Sequence, residues 1–304
     1  MTVVDSLLNR SEESVFNELQ NIASDNGFRL FTKPHLSDVI KKGSAYLSSR
    51  EFEFYTRSHC DFVLTDARAH PIIIVEYDGP LHKSDRKQQE RDQIKNELCR
   101  RAGIGLLRIN DRYVTKLYRG MSVLRWIIEV IELEKAFYEA QEKGYVPLDE
   151  PFDPAFLHPG GSDTRFPYWL CASATQSFHD FFKTFDRDVP KGWNGIIGQD
   201  GNGAGRRLSC LYFGNQILWS TTGVRKQDVK FPDDDLLDQI DTCELGILLK
   251  KFRAGEINAS SPMEFRRVFE RFCERYNAHP SHSMGSFPFD THWNSATGWK
   301  AKPP

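Results

Sequence analysis

The chain has 304 residues, more than one hydrophobic core usually holds, so length alone predicts two domains. Hydrophobic residues at 39% and charged ones at 27% describe a globular protein, exclude a disordered chain, and leave no apolar run near the roughly 18 residues of a membrane helix. A net charge of -2 supplies no global basic field, so any nucleic-acid contact must come from a local patch.

Along the first half, Val15, Phe16, Leu19, Ile22 and Ala23 recur at helical spacing after Ser11, which reads as the N-cap. Phe28 to Phe31 and Phe52 to Tyr55 are short aromatic-rich pieces that suit strands. His59 to Asp66 and Pro71 to Asp78 are β-rich runs joined by a short polar turn. Residues 84 to 102 are highly charged but carry Ile94, Leu98 and Ala102 on one stripe, a helix ending at Gly103. Ile104 to Ile109 reads as a buried strand, and Leu117, Met121, Leu124, Ile127, Ile128 and Ile131 mark a long covering helix. The order α, β, β, β, α, β, α predicts an α/β fold, a mixed sheet flanked by helices.

Prolines and glycines in residues 144 to 161 then predict a linker, with one domain over 1–143 and a second α+β domain over 162–304. In the second, Phe178, Phe181, Phe182 and Phe185 form a helical stripe, and Gly214-Asn215 separates two strand runs as a hairpin turn. Ser261 and Glu264 form a capping box opening a helix with Phe265, Val268, Phe269, Phe272 and Tyr276 inside. The glycine-rich stretch from Gly198 to Arg206 lacks the Gly-Lys-Ser/Thr ending of a phosphate loop and reads as a hairpin loop. His279, His282 and His292 have no metal-ligand spacing, and Trp293 and Trp299 read as tail residues tying to a core.

Chemistry enters at the hairpin. If its turn centres on Arg68 and Ala69, antiparallel pairing sets Asp61 opposite Glu76, and alternation puts Ile72, Ile74, Glu76 and Asp78 on one face. Opposed Cβ atoms lie roughly 5 Å apart, where two carboxylates repel by about 3 kcal/mol at an effective dielectric near 20. A hard divalent cation removes that repulsion and is itself a catalyst. The bland alternative, edge charges facing solvent, sits badly with the apolar run Pro71 to Val75 that leads into Glu76.

CDFVLTD, IIIVEYDGPLH and RDQIKNELCRRAGIGLLRI together resemble the PD-(D/E)XK nuclease superfamily, in its bacterial restriction-endonuclease-like branch near the very-short-patch-repair endonucleases, over about residues 10 to 135. The resemblance implies Mg²⁺ or Mn²⁺ held by Asp61 and Glu76, with the Tyr77 carbonyl as a third ligand and DNA as the substrate. It suggests Glu13 as an outer contributor, although a carboxylate in a first helical turn suits the dipole in any case. The superfamily signature ends in lysine two residues after the Glu, and Asp78 stands there instead. Asp78 cannot stabilise developing negative charge as that lysine does. Lys95, beside the inward stripe at Ile94 and Leu98, is the replacement candidate, ahead of Gln89 and Lys83. His82 either contacts a phosphate or closes the turn after Pro80. From Lys83 to Arg108 eight basic residues face four acids, a local excess able to track a phosphate backbone.

The reading is therefore a metal-dependent endonuclease, against an inactive nuclease-fold module that binds nucleic acid or protein. A structural role in a larger complex, with a protein partner or self-association through the second domain, is the third possibility. The opening residues lack a signal-peptide layout, and six scattered cysteines form no zinc or disulfide pattern, which together predict a cytoplasmic protein with free thiols.

Overall fold

The computed structural model describes residues 8–79, 86–154, 168–201, 203–225, 227, 229, 233–276, 278–280, 287, 291–294 and 298–301. The chain is mixed α/β and forms two compact units, residues 1–136 with 227–231, and residues 137–226 with 232–304.

In the first unit, α1 (Arg10–Asn26) opens on Asn9, not Ser11. The Asn9 side chain accepts the Glu12 amide at 2.9 Å and Glu12 Oε2 accepts the Asn9 amide at 3.0 Å, a reciprocal cap. Val15, Leu19 and Ile22 on this helix are fully buried. β1 (Arg29–Thr32) follows, then α2 (Leu36–Val39) and α3 (Ser49–Arg57). Here Phe52 to Tyr55 depart from the strand expectation. The Ser48–Glu51 capping box starts a helix just upstream, and the helical turn leaves Phe52 in solvent while Phe54 and Tyr55 pack inward. Local capping outweighs the β-propensity of aromatic residues.

β2 (Phe62–Thr65), β3 (Pro71–Tyr77), α4 (Arg86–Ala102) and β4 (Gly105–Ile109) complete the sheet, in the order β1-β2-β3-β4. The first three strands are antiparallel neighbours; α4 carries the chain across so that β4 runs parallel to β3. Gly103, at a φ of +72°, ends the helix. Val63, Ile74 and Leu106 point to the α4 side with Leu98 and Cys99. Phe62, Leu64, Ile73, Val75, Leu107 and Ile109, the alternate positions, are buried as well, so the sheet is covered on both faces.

Beyond β4 come α5 (Arg112–Thr115), β5 (Leu117–Tyr118), β6 (Met121–Ser122) and α6 (Val123–Glu142). Leu117 and Met121 therefore belong to a tight hairpin, turned by Arg119 and Gly120 at φ of +53° and +78°, and the long helix begins at Val123. Arg125 on α6 pairs with Glu18 and Asp25 on α1 and binds the two helices together. The cut between units falls within α6, after Ala136, where residues 144–161 were the expected linker. Residues 144–154 carry neither helix nor strand, and Gln141 Nε2 donates to the Pro147 and Glu150 carbonyls at 2.6 and 2.8 Å, folding them against the helix end.

The second unit is built on β7 (Lys191–Gln199), β8 (Gly205–Phe213) and β9 (Gln216–Val224), an antiparallel meander, with β10 (His279–Pro280) beside β7. The glycine-rich stretch is the β7–β8 loop, and Gly214 turns the β8–β9 hairpin at a φ of +58°. α9 (Pro262–Tyr276), capped by Ser261 and Glu264, packs Phe265, Phe269 and Phe272 on Leu208, Cys210 and Tyr212. On the opposite face α7 (Ala172–Phe182) and α8 (Asp233–Arg253) set Phe178, Phe181, Leu245 and Leu249 against Leu211 and Phe213. Trp293 and Trp299 are register partners of β11 (Thr291–Asn294) and β12 (Gly298–Ala301), which pair antiparallel.

Candidate functional site

The β2–β3 register decides where the carboxylates go. The connecting loop closes with the Asp66 amide on the His70 carbonyl at 2.9 Å, and Ala69 sits in the left-handed region at a φ of +65°. Continued unchanged, that loop would pair Asp61 with Val75. An irregularity between Leu64 and Thr65 inserts one residue, so that Leu64 meets Ile73 and Phe62 meets Val75. A single-residue shift exchanges the two faces of a strand. The bulge therefore brings Asp61 beside Glu76, on the α4 side of the sheet.

Just past the last ladder pair, side chains replace backbone partners. The Asp61 amide donates to Glu76 Oε1 at 3.2 Å, and the Tyr77 amide donates to Asp61 Oδ2 at 2.9 Å. Lys95, one turn before Leu98 and Cys99 on α4, donates to Glu76 Oε2 at 2.7 Å and to the His59 carbonyl at 2.8 Å. Lys95 is only 7% exposed, so its ammonium is held in a nearly dry setting. On the other flank Lys33 Nζ lies 2.9 Å from Asp61 Oδ1 and 2.6 Å from Glu12 Oε1. Burial pushes the Glu76 carboxyl up from its ordinary value, Lys95 pulls it down, and the nearby Asp61 charge pushes it up again. Lys33 is raised: burial opposes its charge, but the Glu12 and Asp61 bonds outweigh that cost. Burial likewise pushes the neighbouring Cys60 thiol up to about 12, which makes it inert.

The structure thus joins Asp61, Glu76 and Lys95 and adds Lys33 and Glu12. Glu13 is exposed to solvent; its neighbour Glu12 takes the inward position, with Oε2 on the Asn9 amide and Oε1 on Lys33. Tyr77, the residue whose carbonyl was the third expected ligand, donates its hydroxyl to Asp111 at 2.7 Å. Asp78 follows the end of β3, half-buried, with its amide on the Ile109 carbonyl at 2.7 Å. His82 and Lys83 lie outside the described residues, while Gln89 is exposed. Lys33 had one readable signal only in three dimensions: a non-glycine residue at a φ of +53°, a conformation kept where the surroundings demand it.

The donor set fits a hard divalent cation in its chemistry. All the side-chain donors are oxygens, and each carboxylate oxygen engages one N–H and keeps lone-pair capacity. Among the described residues no three Asp, Glu, His or Cys side chains surround a common point, so two carboxylates would share the ion with backbone carbonyl and water. Meanwhile the two ammonium groups already relieve the repulsion that the sequence assigned to a metal.

A sequence family described as a protein of unknown function (DUF2726) matches residues 4–122. That span holds all five site side chains. An uncharacterized protein of Haemophilus influenzae is 31% identical over 111 residues, covering 36% of this chain. The aligned region is 55% of that protein, so the match takes in about half of the relative. No solved structure matches the chain.

Proposed function

We propose that the first unit is a metal-dependent endonuclease acting on DNA in the cytoplasm. The observation that carries this reading is the meeting of Asp61 and Glu76 at the end of the β2–β3 ladder with the buried Lys95 ammonium on Glu76 from the helix behind. This places a lysine beside the carboxylates although Asp78 occupies its usual sequence position. Asp61 and Glu76 would hold Mg²⁺ or Mn²⁺, with the Tyr77 carbonyl as a further ligand; the ion supplies a more acidic water and charge stabilisation at the phosphoryl oxygens. Lys95 orients the Glu76 carboxylate and presents positive charge where negative charge develops in phosphodiester hydrolysis. Lys33 holds Asp61 through Oδ1, and the remaining lone pairs of that carboxylate are left for the cation. The free thiols of the described cysteines support the cytoplasmic reading.

A second reading, an inactive module of the same fold, is favoured by one observation: Lys33 and Lys95 already neutralise both carboxylates. Thermal unfolding with Mg²⁺, Mn²⁺ or EDTA, beside plasmid nicking under the same conditions, separates the two. The nuclease reading expects cation-dependent nicking and a rise in Tm at millimolar cation. No shift and no nicking favour the module.

A further inference from the structure

Between α3 and α4 lies a cavity of about 220 Å³, lined by Arg50, Glu53, Phe54, Arg57, Ser58, Arg91 and Ile94. Three guanidinium groups thus face one carboxylate. Arg57 pairs with Glu53 at 2.6 Å and Arg50 pairs with Glu90, but both arginines are largely exposed, where such pairs contribute little and exchange readily. Arg91 rests over the Phe54 ring at 6.0 Å and pairs with no acid among the described residues. The second observation is Ser58. It is 8% exposed, its hydroxyl is buried, and that hydroxyl has no hydrogen-bond partner although it lines the cavity. A buried polar group without a partner forfeits its hydration with nothing in return, so such hydroxyls are normally satisfied.

We propose that this cavity is a phosphate subsite. Arginine forks and a hydroxyl donor suit a compact tetrahedral anion, and guanidinium–phosphate bonds are among the strong charge-assisted ones. The pocket is open on its solvent side, so a strand end can enter it from outside. The cavity and the carboxylate site are built on adjoining residues. Ser58 immediately precedes His59, whose carbonyl accepts Lys95, and Arg91 stands one turn before Lys95 on α4. A strand anchored here by its 5′-phosphate would therefore be held within reach of Asp61 and Glu76. Phosphate binding stands on the cavity alone; the link to a nucleic-acid strand rests on the nuclease reading above.

The test compares binding of one oligonucleotide with a 5′-phosphate and with a 5′-hydroxyl, in the presence and absence of competing inorganic phosphate. The subsite predicts that the phosphorylated strand binds about tenfold tighter, as one or two charge-assisted bonds would give. Arg91→Ala and Ser58→Ala should each shrink that ratio. Ser58→Ala should leave Tm unchanged or raised, because it deletes a hydroxyl that bonds to nothing; a fall in Tm with the ratio intact makes Ser58 structural and overturns its role. Equal affinities for the two strands, with no competition by millimolar phosphate, overturn the subsite. Competition by phosphate without strand discrimination keeps the anion site and overturns its link to a strand end. Discrimination without any nicking leaves the subsite standing while the nuclease reading fails, and nicking without discrimination does the reverse.

Discussion

Lys95 changes what removal of Glu76 should do. The sequence treats Asp61 and Glu76 as a repelling pair, so that Glu76→Gln would leave stability unchanged or raise it in metal-free buffer. In the structure Glu76 is the carboxylate partner of a buried ammonium, and the substitution leaves Lys95 with the His59 carbonyl and a neutral amide. Glu76→Gln should therefore lower stability by about 2 kcal/mol without metal, and abolish cation-dependent nicking. Adding Lys95→Met should recover much of the stability but none of the activity; urea unfolding of the wild type and both variants measures this. In the second unit, Arg207 Nη2 meets Asp238 at 2.6 Å, and Ser220 donates to the fully buried Asp241 at 2.7 Å. Burial pushes the Asp241 carboxyl up to about 6, with Arg207 opposing. The folded state then holds that proton more tightly than the unfolded one, so this contribution is complete below pH 3.8 and is lost as pH rises through about 6. The loss is on the order of 3 kcal/mol at about 1.4 kcal/mol per pH unit. Asp241→Asn should flatten that slope in urea unfolding between pH 4 and 7; an unchanged slope would show that other groups set it.

At the level of elements, close backbone approach sets the tightest constraints. Gly198 on β7 lies under the end of α9, and a Cβ there would fall onto the Tyr276 carbonyl oxygen. Backbone cannot move aside as a flexible side chain does. Gly198→Ala should cost about 2 kcal/mol or more, read as a drop in Tm, while Gly201→Ala in the adjoining loop meets nothing and should be near neutral. The β2–β3 hairpin shows a different element-scale effect. The expected register holds from Phe62 to Leu64, yet the turn centre that suggested it does not, because a three-residue loop and a bulge together give the same pairing. Bulges arise from backbone choices that leave no periodic trace in the side chains.

Across the whole molecule, the first unit is not built from a continuous stretch. Gln227 is buried against the edge strand β4, where its side chain accepts the Arg108 amide at 2.8 Å and donates to the Arg108 carbonyl at 2.9 Å. A side-chain amide thus takes the place of a further strand and covers an edge otherwise open to pairing. Gln227→Ala should lower the stability of the first unit by about 2 kcal/mol and speed hydrogen exchange at the Arg108 amide. A chain ended after residue 143 should be less stable still and self-associate, measured by sedimentation. If that fragment proves as stable and monomeric as the full chain, the β4 edge needs no cover.

Periodicity and capping chemistry determined much of this protein before any coordinates. The α9 stripe, the Ile94 and Leu98 positions of the α4 stripe (Ala102 is exposed), the dry run into Glu76, the Gly214 turn and the Ser261 cap follow from contacts a few residues apart, which sequence records directly. Lys95 was legible for the same reason, standing beside a helical stripe that had to face the sheet. What only the tertiary structure decided depends on groups far apart in sequence. Glu12 rather than Glu13 turns inward because Lys33, 21 residues on, lies there to receive it. Gln227 closes a strand 119 residues earlier, and no local pattern distinguishes that glutamine from a solvated one. Long-range pairing leaves its cause in the partner, so neither residue declares its role alone.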